Sequence, residues 1–394
     1  MSISFYCLII AFALMVYSFR RVSDKPSFLR LDQTGTAQLK GIAILLVLIS
    51  HLANLNLISL PPVFKYSGAW GVAIFLILSG YGLAQSYLKD GVKSNFLSRR
   101  FNKVLLPYAV VTAIWIFIES ALRGTIYPLN TIALSLVGLD FNYSFDPTMW
   151  FVTFIALWYL TFYVVFKLPV QDILKIGTLF VLAYVIKTYA MDVVPNRIYW
   201  QWSIHAYAFP AGVLIGLAYR RVSFVFSSYA NIAFLSLAAI VSAFVFQRYV
   251  GHSMDLIDYY SRANLAFALG LMSLMIVVRY FGLQSRALSF IGLISYELYL
   301  LEWILMTKLN LPHAFSSTFI GVPVFLMALM VSGIALHYGM VALTDLTESY
   351  LSLSFAKKTV RRCYSQIHAW TELIHAHKEE IPAFSKVEKE IVNH

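Results

Sequence analysis

The chain has 394 residues, 60% of them hydrophobic and 12% charged, with a formal net charge of +11. Apolar runs recur along most of its length, which excludes a soluble globular domain and leaves an integral membrane protein. The positive charge, once placed, follows membrane topology rather than the footprint of a nucleic-acid binder, so no nucleic-acid partner is expected.

Taken in chain order, apolar spans are predicted near 3–19, 38–58, 68–88, 104–121, 149–166, 173–191, 203–219, 229–247, 263–281, 287–307 and 318–342. The expected fold is all-α, a polytopic membrane helical bundle of about eleven transmembrane helices. The run at 3–19 has no positive residue before it and no small-residue cleavage site, so it reads as a retained anchor. Residues 1–29 are then an extra N-terminal helix with its linker, 30–344 a membrane domain and 345–394 a polar tail. Counting Lys and Arg places 23 of the 30 in one set of alternate loops plus the tail, and 7 in the other set. The basic side is cytoplasmic by the positive-inside rule. This makes a multi-pass protein of the inner (plasma) membrane, with the N-terminus outside and the tail inside. Lys357, Lys358, Arg361 and Arg362 of the tail are expected at anionic lipid head groups. Cys7 lies in the first apolar run and Cys363 in the tail, so no disulfide framework is implied.

Two outer segments carry aromatic residues. Residues 122–148 form the longest outer loop, with an apolar middle from Leu129 to Leu139, and Trp150 opens the span after it. Residues 192–202 hold Arg197, Trp200 and Trp202, and His205 follows just inside the next span. Aromatic rings beside a cation suit a sugar-binding surface, which makes Trp150, Arg197, Trp202 and His205 candidate acceptor-binding residues. An ordinary interfacial aromatic belt has the same composition.

The strongest chemical candidate is His51, an imidazole inside an apolar run that Lys40 opens. Eleven residues at about 100° each return both to nearly one helix face, roughly 16 Å apart along the axis. An ionisable group at that depth is costly unless it faces protein or water. A packing role between helices is the alternative. Imidazole normally titrates near neutrality and is suited to take a proton from a hydroxyl nucleophile. Ser295, Tyr299 and Glu302 share one face of a later helix, and Glu302 in mid-span is expected to pair with another group. A His51 partner is one option and another helix the second. Ser79, Tyr299 and Ser295 are candidate pocket or oxyanion groups. Arg99, Arg100 and Lys103 stand at the cytoplasmic entry to a span, where they suit either donor phosphates or simple anchoring. Glu119, His205, His337 and Asp345 lie near span ends, where structural roles dominate. No glycine-rich phosphate loop, nucleophile elbow or metal-ligand cluster is present, so no metal is expected.

These residues together resemble a known family. Lys40 separated from His51 by ten intervening residues, then Gly71-Val-Ala-Ile-Phe75-Leu-Ile-Leu-Ser79-Gly80-Tyr81, then Arg99-Arg100-Phe-Asn-Lys103-Val-Leu-Leu-Pro107-Tyr108, are similar to the acyltransferase 3 family of membrane O-acyltransferases. Trp150-Phe151 with Tyr159, Phe209-Pro210-Ala-Gly212-Val-Leu-Ile-Gly216 and Ile294-Ser295-Tyr296-Glu297-Leu-Tyr299-Leu300 follow in the family's order. The similarity runs from about 30 to 342. It implies about ten core helices, with the span at 3–19 as an addition. It also implies transfer of an acyl group, usually acetyl, from cytosolic acyl-CoA to an extracytoplasmic hydroxyl, usually on a glycan. Lys40 matches a basic position more often occupied by arginine, His51 matches the family histidine, and Glu302 stands where histidine would be expected.

The expected function is therefore O-acetylation of a surface or envelope polysaccharide, such as lipopolysaccharide, or of its lipid-linked precursor. His51 would be the base or transient acyl carrier, with Glu302 beside it, and Lys40, Arg99, Arg100 and Lys103 would hold the donor. Acetyl-CoA is a co-substrate rather than a tightly bound cofactor. A proton-coupled transporter or flippase using His51, Glu302 and Lys40 is the competing class. A glycan polymerase with 122–148 as acceptor platform is a third.

Overall fold

The computed structural model describes residues 17–22, 31–193, 200–221, 237, 240, 241 and 256–346. Residues 1–337 form one compact unit. Residues 338–394 form a second, described over 338–346, where it is helical.

A short strand β1 (Phe19–Arg21) comes first, then helices α1 (Gln33–Asn54) and α2 (Ser67–Asp90), the latter entered through a 3-10 turn at Pro62–Tyr66. Helix α3 (Phe96–Arg123) contains a π turn at Phe101–Leu105. Next are α4 (Leu129–Leu136), α5 (Trp150–Lys167), α6 (Asp172–Val193), the short α7 (Trp200–His205), α8 (Ala208–Arg221) and α9 (Leu256–Tyr280). Strand β2 (Leu283–Ser285), α10 (Arg286–Leu293), α11 (Ser295–Trp303, continued by a π turn Ile304–Lys308) and α12 (Thr318–Leu346) complete it.

Among the described residues seven helices are long and apolar enough to cross a membrane, and the bent pair α10–α11 makes eight. The expected spans at 3–19 and 229–247 fall largely outside the described residues. The span expected at 203–219 is instead two helices, α7 and the 14-residue α8. Pro210 has no N–H to offer the carbonyl four residues back, so the chain breaks and restarts with proline in the first turn of α8. The span expected at 287–307 bends by 62° between α10 and α11. There the Ser295 hydroxyl donates to the Gly292 carbonyl (2.9 Å), a local bond that competes with helix continuation. Among the described residues the architecture is all-α apart from one antiparallel pair, β1 with β2, which the hydropathy pattern does not reveal.

Helix α2 is the most buried of these candidate spans, 72% buried over its apolar window, whereas α12 has the highest hydropathy and is only 22% buried. Close approach requires glycine. A methyl on Gly80 would lie 2.3 Å from the Phe209 carbonyl oxygen of α8, and one on Gly212 would lie 2.1 Å from that of Ile77. The same device joins α1 to α10, where Gly41 faces Leu288 and Gly292 faces Ala37.

Polar links join segments that the charge count puts on one side. β1 pairs β2, and the buried Arg279 guanidinium donates to the Asp32 carboxylate (2.7 Å), which also caps α1 through Gly35 N–H. Tyr87 donates to Asp172 (3.0 Å). At the opposite ends Lys308 meets Glu119 (3.2 Å), and Asn54 donates to the Lys65 carbonyl (2.8 Å).

Candidate active site

His51 lies in the last turn of α1, nearer its C-terminal end than its centre. Its Nδ1 bonds the Glu302 carboxylate of α11, 251 residues away in sequence. Trp303 meets the imidazole edge-on, centroids 5.8 Å apart. Glu302 is fully buried, while the His51 side chain keeps 24% of its surface open. The imidazole is thus held on one side and accessible on the other. With Nδ1–H donated to the carboxylate, Nε2 keeps its lone pair for a proton.

A second carboxylate stands near this pair. Asp146 ends the loop before α5. Its Oδ1 accepts from Thr148 N–H (2.7 Å) and Thr148 Oγ1 (2.6 Å), which caps the 3-10 turn Pro147–Met149. Burial pushes the Asp146 carboxyl up to about 6; the Thr148 bonds oppose the shift, nearby Glu302 adds to it and His51 resists it. Tyr299 donates to the Thr148 carbonyl, so one face of α11 is tied to this turn. Sequence reading had no reason to choose Asp146, because Asp-Pro is an ordinary turn opener.

The basic residues gather at the other end of the bundle. Lys40 has Lys103, Arg100 and Glu297 as its charged neighbours. Arg99 and Arg100 line a cleft with Lys93, Phe96 and Phe162. The Arg100 guanidinium lies 5.2 Å from the Tyr159 ring centroid and 5.6 Å from that of Phe96, and its buried Nε has no hydrogen-bond partner.

Ser79 and Ser295 are not at the imidazole. Gly68 is opposite Ser50, which sets α2 in register with α1, and Ser79 lies eleven residues further on, roughly 16 Å away along the axis. Its hydroxyl meets that of Tyr159 (3.4 Å). Ser295 is at the start of α11, two turns before Glu302. Trp150, Trp202 and His205 do converge. His205 stacks on Trp150 at 5.7 Å and Trp202 packs on Phe154 at 5.2 Å, with both His205 nitrogens buried and without a hydrogen bond. Arg197 lies outside the described residues.

A family model described as an acyltransferase domain, that of acyltransferase 3, matches residues 37–342. The chain belongs to the acyltransferase 3 family. Neither a curated protein nor a solved structure matches it. The matched range of this acyltransferase contains both ends of the site, from Lys40 to His337. His337 of α12 adds a further pair, its Nδ1 2.8 Å from Glu297 Oε1. Glu297 also faces Lys40, so this carboxylate balances charge at the basic end. No periodicity in the sequence relates α11 to α12, so that pair was not foreseeable.

Proposed function

We propose that this acyltransferase is an O-acyltransferase, using cytosolic acetyl-CoA to acylate a hydroxyl of an envelope glycan or its lipid-linked precursor. The observation that carries the reading is the arrangement along α1, with cations clustered at Lys40 and an accessible imidazole clamped by Glu302 near the other end. Phosphates of the donor meet Arg99, Arg100, Lys103 and Lys40 at the cytoplasmic side, where guanidinium groups can bind them bidentately. The thioester reaches His51. Nε2 takes the proton of the acceptor hydroxyl as its oxygen bonds the thioester carbonyl carbon. The intermediate then collapses, the C–S bond breaks, and the thiolate leaves with the proton His51 holds. Glu302 stabilises the transient imidazolium and keeps no proton. Trp150, Trp202 and His205 fit the acceptor's aromatic-lined approach from outside.

The test is transfer of radiolabel from acetyl-CoA to the envelope glycan fraction by purified protein in nanodiscs. Wild type is expected to label the glycan, and His51→Ala to lose about 10²-fold or more. Equal labelling at matched protein levels would overturn the role of His51.

A further inference from the structure

Beneath the outer loop, α3, the segment 135–149 and α11 enclose a cavity that no step above uses. Its volume is ≈ 20 Å³, room for one water-sized group. Most of the polar wall is already engaged. Tyr108 donates to the Ser135 carbonyl (2.6 Å), and Asp140 accepts from Ser135 Oγ, Asn142 N–H and Ser144 N–H. The indole Nε1–H of Trp115 and Oδ2 of Asp146, which also line it, are buried without a hydrogen-bond partner. Trp115 and Asp146 are 3% and 5% exposed. A buried donor and a buried carboxylate oxygen left open onto one small space cost stability unless a ligand satisfies both. A single hydroxyl placed between them satisfies both, as a water does, accepting from the indole and donating to the carboxylate. The cavity also borders the reaction centre. Asp146, which lines it, is a charged neighbour of both Glu302 and His51.

We propose that this cavity seats one non-reacting hydroxyl of the acceptor sugar, with Trp115 donating a hydrogen bond to its oxygen and Asp146 accepting one from it. The proposal rests on the glycan reading above and adds the residues that select among acceptors. A site built to hydrogen-bond a hydroxyl discriminates strongly against a ligand lacking it, because its own groups are then left unpaired. Asp140 serves the loop and is not part of the seat.

The experiment uses full-length protein in nanodiscs with a panel of methyl hexosides and their monodeoxy analogues. Label transfer from acetyl-CoA and thermal stabilisation are read in parallel. In wild type, removing one particular hydroxyl is expected to lower kcat/KM by about 10²-fold or more. Asp146→Asn and Trp115→Phe should each lower kcat/KM for the parent hexoside by at least tenfold. Both should be nearly indifferent to the same deoxygenation, with the KM for acetyl-CoA unchanged. Val111→Phe, which fills the cavity from the α3 wall, should reproduce the loss while leaving both polar groups in the sequence. If all three variants keep wild-type discrimination, or if no hexoside is labelled or stabilises the wild type, the cavity holds structural water and the proposal falls. If hexosides stabilise wild type but not Asp146→Asn and none takes label, the seat stands and the glycan-acylation reading falls instead.

Discussion

An imidazole gains direction from the group on its far nitrogen. At His51 that group is the fully buried Glu302 carboxyl group, so Glu302→Gln should lower kcat by about 10²–10⁴-fold. The KM for acetyl-CoA should stay constant, since the cations are at the opposite end, and steady-state transfer kinetics at matched protein check both. Asp146 makes a separate prediction about stability. Its carboxyl is raised from 3.8 to about 6 on folding, so the folded state binds this proton more tightly than the unfolded chain does. The contribution of Asp146 to stability is therefore fully present below pH 3.8 and is lost as pH rises through about 6. Asp146→Asn should accordingly melt progressively higher than wild type as pH is raised from 4 to 7, while losing function. A Tm gap that shrinks over that range would contradict the burial argument. A gain in stability with loss of function is the usual signature of a group kept for a ligand.

The helices meet through absent side chains. Gly80 and Gly212 each lie where a methyl group would run into the partner's backbone, whereas nothing stands within 4 Å of Gly82. Gly80→Ala should therefore cost about 1–3 kcal/mol, read as a lower Tm and yield in detergent, and Gly82→Ala close to nothing. Features confined to one helix were legible in the sequence. Lys40 and His51 share a stripe because both lie on α1, and most spans announced themselves by hydropathy. The His51–Glu302 pair was open to a guess, since two ionisable groups in lipid-spanning helices need partners. Asp146, the Glu297–His337 pair and the orphaned Trp115 indole were not legible, because each depends on which helix faces which across the bundle. The bend between α10 and α11 was hidden as well, since Ser295 reads as an ordinary polar helix residue until its bond to Gly292 is seen.

Over the whole molecule, the polar links sort the described loops into two consistent sets, with Asp32, Arg279, Asp172 and the β pair on one side and Lys65, Glu119 and Lys308 on the other. Which set meets the cytoplasm is testable. In a background lacking Cys7 and Cys363, a membrane-impermeant maleimide should label Asn130→Cys in intact cells and Ser94→Cys only after permeabilisation. The reverse pattern would invert the topology, and with it the direction of acyl transfer.

A straight α1 between the cations and the imidazole also fixes a length. Loops can flex, but a hydrogen-bonded rod cannot shorten, so the two ends act as the jaws of a caliper. On the proposed reading, a thioester whose arm is truncated would still be gripped by its phosphates and yet stop short of Nε2. Such an analogue should compete with acetyl-CoA while donating nothing, and the reach of the carrier would be selected as firmly as its charge.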